Sequence, residues 1–205
     1  MTPPRIRHVL FDFDGVLAHY RHALRIGHLA ESCGHPHERV REVLFASGLE
    51  TEYDGGAIST ESYLSRLSEG LARRIDSDTW IAARLAGTQA NDGAIAQILA
   101  LDPAIELGVL TNNGVLMAQA IPRIVAPLLP RIEGRVLCSG ALGARKPAVG
   151  VFSLAIERLG WAAHETLFVD DVFANVQGAR AAGLHADTVT DARSLRRVFR
   201  RYALA

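Results

Sequence analysis

Short, continuous apolar runs alternate with helical patterns along much of the chain. Five runs are uniformly apolar rather than alternating, which is typical of strands buried on both faces of a parallel sheet. They are IRHVLFDF (6–13), IELGVLT (105–111), RVLCS (135–139), TLFVD (166–170) and LHADTV (184–189). Helical patterns follow the second, third and fourth runs. This rhythm predicts an α/β fold with a doubly wound, Rossmann-like parallel sheet.

Prolines and glycines mark the predicted core helices. The three helical patterns cover residues 114–129, 148–160 and 172–183. Pro122 and Pro127 must kink or split the first one, because proline cannot donate within a helix. The second has Pro147 at its predicted first position and Gly160 at its end. The third closes on Gly183, a candidate C-cap.

A segment of different character separates the first strand from the second. Between Gly15 and Asp92 the pattern shows no convincing strand. Helical patterns fill it instead, at residues 21–34, 37–48, 60–74 and 78–87. A crossover between neighbouring strands needs only about a dozen residues, so this segment is too long to be one. We therefore assign 1–16 and 91–205 to a core and 17–90 to a small helical cap over the C-terminal edge of the sheet.

Composition narrows the function classes. The chain has 205 residues, is 49% hydrophobic and carries 22 basic and 22 acidic residues, so its net charge gives no general attraction to nucleic acid or to anionic membranes. The basic stretch RSLRRVFRRY (193–202) is typical of a solvated helix face. Cys33 and Cys138 are widely separated, which favours a reduced protein. With no signal peptide or membrane span in the sequence, we expect a soluble cytoplasmic protein.

Polar side chains collect where the predicted strands end. In chain order they are Asp12, Asp14, Thr111, Asn112, Lys146, Asp170, Asp171 and Asn175. Open α/β sheets bind their ligands at this edge. Four carboxylates in one crevice require a cation, and oxygen ligands select Mg²⁺. Mg²⁺ beside a lysine and a hydroxyl suits a phosphate monoester, so we expect a small phosphorylated metabolite as the substrate.

Four motifs in this order resemble one known family. They are DFDGV (12–16), LTNN (110–113), RKP (145–147) and VDDxxxNV (169–176). Together they resemble the haloacid dehalogenase superfamily of phosphohydrolases, and the helical insert resembles its type 1 cap. The stretches YDGGAISTESYLSRL (53–67) and LGARKPAVGVF (142–152) are similar to bacterial sugar-phosphate phosphatases, close to those acting on glucose 1-phosphate. The resemblance implies the sheet order 5-4-1-2-3.

The same resemblance implies a role for each carboxylate. Asp12 would be the nucleophile that forms an aspartyl-phosphate. Asp14 would protonate the leaving alcohol and then activate water, while its main-chain carbonyl contacts the metal. Asp171 would ligate Mg²⁺ directly. Asp170 would be either a further ligand or a partner behind the ligands.

The resemblance implies that the remaining motif residues bind the phosphoryl group or stabilise the loops around it. Thr111, Asn112 and Lys146 would bind the phosphoryl group. Gly15 would let the chain turn out toward the cap, and Asn175 would support the site. This set completes the predicted site at the sheet edge.

Candidate substrate contacts in the cap rest on position alone. His19, Tyr20 and Arg25 follow the first motif closely and are candidates for substrate contact. Tyr53 and Asp54 lie in a glycine-containing loop that could reach the crevice. We predict that these five residues influence substrate choice.

Other functions share parts of this pattern. A phosphosugar mutase would use the same core residues, and a non-catalytic interaction module could be built on the same fold. A response-regulator-like phospho-acceptor also combines acids, a threonine and a lysine, but its acid pair comes first in the chain and it has no cap. A dehalogenase lacks the second acid of the first motif, so Asp14 and the pair Asp170–Asp171 argue against it.

Overall fold

The computed structural model describes residues 4–204 and is built around a five-stranded parallel sheet. In chain order the strands are β1 (His8–Phe11), β2 (Ala18–Tyr20), β3 (Thr88–Ala90), β4 (Glu106–Thr111), β5 (Val136–Cys138), β6 (Thr166–Asp170) and β7 (His185–Thr188). The parallel sheet has the order β5-β4-β1-β6-β7. Counted within that sheet alone and read from β7, this is fifth, fourth, first, second, third, which is the order that the resemblance implies.

Helices cover this sheet and fill the long segment after β2. They are α1 (His22–Cys33), α2 (His37–Arg41), α3 (Leu49–Asp54), α4 (Thr60–Gly70), α5 (Ser77–Ala86), α6 (Asp92–Leu99), α7 (Met117–Ile124), α8 (Leu129–Ile132), α9 (Ser139–Leu142), α10 (Val149–Leu159), α11 (Phe173–Ala181) and α12 (Ala192–Arg201). The α/β class predicted from the alternating pattern is confirmed.

The central strand β1 explains why the apolar runs are continuous. It pairs in parallel with β4 on one side and with β6 on the other. Val9 and Phe11 point into the core on one face of the sheet. Leu10 packs with Leu110 and Phe168 in the core on the opposite face. Because both faces are covered, three consecutive positions of β1 (residues 9–11) are buried in apolar surroundings.

The core helices differ in detail from the sequence pattern. The predicted long helix at 114–129 is split, as expected: Pro122 lies inside α7 and Pro127 lies in a 3₁₀ turn before α8. Gly160 ends α10 with a left-handed backbone (φ 70°), also as predicted. Pro147 does not begin α10, and that prediction is wrong. Ala148 is still non-helical (ψ 131°), so Pro147 belongs to the preceding loop.

Residues 22–86, which we call the helical segment, contain α1 to α5 and a π-helical turn at Glu42–Ala46. The prediction that no strand interrupts the region between Gly15 and Asp92 is wrong. Strands β2 and β3 form an antiparallel pair that joins the two ends of the helical segment. Each has only three residues, which is too short to produce a periodic pattern. Backbone pairing rather than side-chain alternation defines this small sheet.

Neither cysteine is in a disulfide bond in the structure. Cys138 is buried at the end of β5, and Cys33 is partly buried at the end of α1. Among the helices of residues 4–204, none combines the length and the apolar character needed to cross a membrane.

Candidate active site

A buried lysine joins two strand ends at the C-terminal edge of the sheet. Asp12 directly follows β1, and Asp170 is the last residue of β6. The Nζ atom of Lys146 lies 2.8 Å from Oδ1 of Asp12 and 2.7 Å from Oδ2 of Asp170. All three residues are buried. Lys146 is also the only lysine in the chain, so the sequence places its one ammonium side chain at this point.

Asp170 is held on every side. Its Oδ1 accepts hydrogen bonds from the backbone N–H of Val172 (2.7 Å) and from the amide of Asn175 (3.1 Å). Its Oδ2 accepts from the same amide (3.0 Å) and from Lys146. The side chain has no exposed surface. Of the two roles that the resemblance implied for Asp170, this geometry favours that of a partner that orients the lysine.

Asp171 is the more open of the two neighbouring acids and lies against Gly15. A Cβ at position 15 would overlap the Asp171 carboxylate, and Gly15 also has a left-handed backbone (φ 94°). Both observations require glycine there. Asp12, Asp170 and Asp171 each offer a carboxylate oxygen, and these oxygens lie within 4.8 Å of one another. Such a set of oxygen donors fits a hard divalent cation such as Mg²⁺.

The electrostatics of this cluster also favour a cation. Burial raises the pKa of Asp12 to about 7, and the charges of Asp170 and Asp14 add to the increase although Lys146 opposes it. Burial and the charge of Asp170 also raise the pKa of Asp171. Three carboxylates around one ammonium leave an excess of negative charge. A bound cation would offset that excess.

Asp14 is held by an arginine from the helical segment. Its Oδ2 accepts hydrogen bonds from Arg84 Nη2 (2.5 Å) and from the Asn113 amide (3.0 Å). The same amide donates to the hydroxyl of Thr111 (2.7 Å). Oδ1 of Asp14 is buried and has no hydrogen-bond partner among the described residues. The sequence pattern did not indicate a role for either Arg84 or Asn113.

Asn112, which was predicted to bind phosphate, is engaged differently. Its amide donates to the carbonyl of Lys146 (2.9 Å), and its Oδ1 accepts from the N–H of Lys146 (2.9 Å). Both ends of the side chain therefore fix the lysine loop. Thr111 lies at the end of β4 with 1% of its surface exposed, and its hydroxyl accepts from the same Asn113 amide that donates to Asp14.

Tyr53 and Asp54 fasten the helical segment to the core. The Tyr53 hydroxyl accepts from the N–H of Leu116 (3.0 Å), and its ring lies so close to Gly114 that a Cβ there would overlap it. Asp54 Oδ1 accepts from the N–H of Gly114 (2.7 Å), and its carbonyl accepts from the Ser139 hydroxyl (2.5 Å). The polar groups of both residues are therefore engaged in hydrogen bonds between the helical segment and the core. Their influence on substrate choice stays a prediction.

Tyr20 and Arg25 lie behind Arg84, whereas His19 is exposed. The Arg84 guanidinium stacks on the Tyr20 ring, 3.6 Å from its centroid. Arg25 is buried and pairs with Glu50 at 2.5 Å. The structure thus brings two of these three residues close to the site, but it does so through Arg84, which the sequence pattern did not indicate.

The chain resembles known proteins over most of its length. A family model described as haloacid dehalogenase-like hydrolase matches residues 6–183. The Mycobacterium tuberculosis protein Phosphatase MT3486 is 37% identical over 82 residues, which are 40% of this chain and 37% of that protein. This chain therefore matches little more than a third of that relative's length.

Solved structures agree with the family match. A protein from Porphyromonas gingivalis, described as a predicted HAD-like family hydrolase, superposes with a TM-score of 0.74 at 25% identity, covering 95% of this chain and 98% of that one. HAD family enzyme bt-2542 from Bacteroides thetaiotaomicron, crystallised with magnesium and inorganic phosphate, gives 0.71 at 18% identity, covering 89% and 93%. The latter likeness shows the fold alone. Since the family model spans most of the chain and includes every motif at the sheet edge, the protein belongs to the haloacid dehalogenase-like hydrolase family.

Proposed function

We propose that the protein is a Mg²⁺-dependent phosphatase that cleaves small phosphate monoesters, sugar phosphates above all, through a phosphorylated Asp12. One observation carries the proposal: Lys146 bridges Asp12 and Asp170, while Asp171 stands beside them with a less buried carboxylate. This arrangement puts a nucleophilic oxygen next to a fixed positive charge. Phosphoryl transfer depends mainly on such positioning and charge stabilisation.

Asp12 and Asp14 would divide the chemistry. A carboxylate oxygen of Asp12 attacks phosphorus, and the bond from phosphorus to the leaving oxygen breaks. Asp14 gives its proton to that leaving oxygen. In the second half, Asp14 takes a proton from water, the water oxygen attacks phosphorus, and Asp12 leaves as a carboxylate.

The other motif residues would hold the reacting groups. Asp12, Asp171 and the main-chain carbonyl of Asp14 would hold Mg²⁺, with Asp170 beside them. When bound, Mg²⁺ supplies positive charge that offsets that of the phosphoryl oxygens and of the carboxylates. Lys146 and the Thr111 hydroxyl would contact the phosphoryl oxygens.

Several facts outside the site support this proposal. One relative is named a phosphatase, and one structural neighbour was crystallised with magnesium and inorganic phosphate. We propose that residues 17–90 act as the cap that screens substrates over a core formed by 1–16 and 91–205. The likeness of residues 53–67 and 142–152 to sugar-phosphate phosphatases supports the substrate class. We place the reaction in the cytoplasm, in line with two free cysteines.

The test compares two neighbouring acids on an activated aryl phosphate. Wild-type protein should release phosphate with Mg²⁺ and stop when a chelator is added. Asp12→Asn should release none, because an amide is too poor a nucleophile. Asp14→Asn should still be phosphorylated by this substrate but hydrolyse the intermediate slowly, roughly a hundred- to ten-thousandfold below wild type.

Intact mass spectrometry after acid quench separates the outcomes. A phosphorylated protein should accumulate in the Asp14→Asn variant and be absent from the Asp12→Asn variant. Phosphate release by Asp12→Asn at the wild-type rate would refute the proposal. So would a wild type that keeps its phosphoryl group and turns over no ester, since that behaviour belongs to a phospho-acceptor.

A further inference from the structure

Arg84 is an arginine of the helical segment whose guanidinium contacts the core at the Asp14 carboxylate and at two neighbouring groups. It lies on α5 and is 1% exposed. Nη2 donates to Asp14 Oδ2 at 2.5 Å and lies 3.4 Å from Oδ1 of Asn113. Nε donates to the sulfur of Met117 at 3.0 Å. One guanidinium therefore contacts the first motif, the loop after β4 and the start of α7.

An aromatic plate fixes the orientation of this guanidinium. The ring of Tyr20 stacks against it, and the ring centroid is 3.6 Å from Cζ of Arg84. The hydroxyl of Tyr20 in turn accepts a hydrogen bond from Arg25 (3.2 Å), which is paired with Glu50. Stacking and a directional fork are properties of arginine that lysine does not share. The geometry thus requires arginine rather than any cation.

The contacts of Asp14 are unequal at its two oxygens. Oδ2 accepts from both Arg84 and Asn113, whereas Oδ1 is buried and has no partner among residues 4–204. Building on the phosphatase proposed above, we infer that Arg84 is a positioning residue, which holds Oδ2 of Asp14 and so fixes the orientation of the carboxyl group for the acid–base step. Oδ2 of Asp14 therefore has both of its contacts only while α5 packs on the core, and it keeps the contact with Asn113 alone when α5 moves away.

This arrangement makes the acid–base step depend on the helical segment. Arg84 precedes β3 by four residues, and its carbonyl accepts a hydrogen bond from the Thr88 hydroxyl at the start of that strand. A displacement of α5 relative to the core would therefore withdraw the guanidinium from Asp14. Misplacing a reacting group by about 1 Å costs roughly a hundredfold in rate.

Kinetics of three variants with a sugar phosphate test the inference. Arg84→Met should lower kcat roughly a hundredfold with a much smaller change in KM, because the variant impairs proton transfer by Asp14 and not substrate binding. Added guanidinium chloride should restore part of the rate, and sodium chloride at the same concentration should not. Arg84→Lys should resemble Arg84→Met. The matched control is Arg66→Met, which removes an exposed arginine of α4 that pairs with Glu52.

Two measurements that need no turnover accompany the kinetics. Lys146, the only lysine, can be labelled with an amine reagent and quantified by peptide mass spectrometry. Its labelling rate should match wild type in Arg84→Met if the site is intact, and faster labelling would show that Arg84 merely supports the fold. In unfolding experiments, Arg84→Met and Asp14→Asn should be non-additive, since each removes the same contact.

The failures of the two proposals are distinguishable. A raised KM at unchanged kcat in Arg84→Met would overturn positioning and assign Arg84 to substrate binding. Additive effects on unfolding would overturn the Arg84–Asp14 pairing itself. Wild-type protein that hydrolyses no phosphate ester would instead overturn the proposed phosphatase, whatever Arg84 does.

Discussion

Two groups of charged side chains in this protein differ in their balance of positive and negative charge. The first group, which we call the strand-end cluster, has three carboxylates around one ammonium at the ends of the strands. Its members are Asp12, Lys146, Asp170 and Asp171. The second group lies inside the helical segment and pairs one arginine with one glutamate. Its members, which we call the Arg25 network, are Arg25, Glu50, Tyr63 and Trp80.

The Arg25 network satisfies its own charge. The Tyr63 hydroxyl donates to Glu50 at 2.6 Å and accepts from the indole N–H of Trp80 at 2.9 Å. Arg25 adds a bidentate contact to Glu50. Burial raises the pKa of Tyr63 well above its ordinary value, and the neighbouring Glu50 charge adds to the increase, so the phenol stays a donor. The Arg25 network is neutral overall and stabilises the helical segment, whereas the strand-end cluster carries surplus negative charge and is suited to bind a ligand.

The largest effect should follow from breaking the strand-end cluster at Lys146. Lys146→Met leaves Asp12 and Asp170 buried without their shared ammonium. We expect phosphatase activity to fall on the order of a hundred- to a thousandfold, the typical loss for one preorganised electrostatic contact. The fall should be measured as kcat/KM on an aryl phosphate with saturating Mg²⁺.

One further variant separates charge from geometry at this position. Lys146→Arg keeps the charge but introduces a wider group where the side chain is 1% exposed, so it should recover little activity. Arg158→Met on the exposed face of α10 is the matched control and should behave like wild type. Activity of Lys146→Met within about tenfold of wild type would contradict the assigned role.

The two charge groups also differ in how far the sequence predicts them. Asp12 and Asp170 stand at the ends of apolar runs, and parallel strands bring their carboxyl ends to one edge whatever the loops do. Their convergence was therefore predictable. Arg84 lies 70 positions from Asp14 on a helix whose pattern resembles any amphipathic helix. Its partner is decided by how α5 packs, which a single sequence does not reveal.

The orientation of the two asparagines after β4 also depends on packing that a single sequence does not reveal. The sequence LTNN does not show which asparagine faces the site, and the structure turns Asn113 toward Asp14 while Asn112 holds the lysine loop. One available signal was overlooked. A single lysine among 22 basic residues is unusual enough to mark Lys146 as more than a surface residue.

The Arg25 network should govern stability more than chemistry, and two glutamates of α3 test this. Glu50→Gln removes the anion paired with buried Arg25, so we expect a loss of about 3–5 kcal/mol in the free energy of unfolding. Glu52 makes an ion pair of the same length, 2.5 Å, with Arg66, but both side chains are exposed. Glu52→Gln should scarcely change stability, because exposed pairs are screened by water.

Urea unfolding of both variants measures the contrast. Equal stability changes in Glu50→Gln and Glu52→Gln would show that burial does not distinguish the two pairs. A Glu50→Gln variant that keeps its stability but loses turnover would instead move the Arg25 network into the chemistry.

The smallest expected effect concerns Asp54, which joins the helical segment to the core. Burial raises its pKa to about 7, and Glu50 adds to the increase, whereas the N–H of Gly114 and the charges of Arg145 and Arg25 oppose it. In the unfolded chain an aspartate titrates near pH 3.9. Between these values the folded protein holds a proton that the unfolded chain has released, so the contribution of Asp54 to stability falls as the pH rises from about 4 to about 7.

Asp54→Asn keeps an acceptor for Gly114 but cannot titrate, so its stability should decline less over that range. We expect the stability of wild type relative to the variant to decrease by about 1 kcal/mol or more between pH 5 and pH 7.5, with a limiting slope of about 1.4 kcal/mol per pH unit for one proton. The contributions of all other groups are common to both proteins and cancel in the difference. Urea unfolding at half-unit pH steps provides the measurement. Parallel stability curves for wild type and Asp54→Asn would mean that this contact between the helical segment and the core carries no proton, and that its strength is independent of pH.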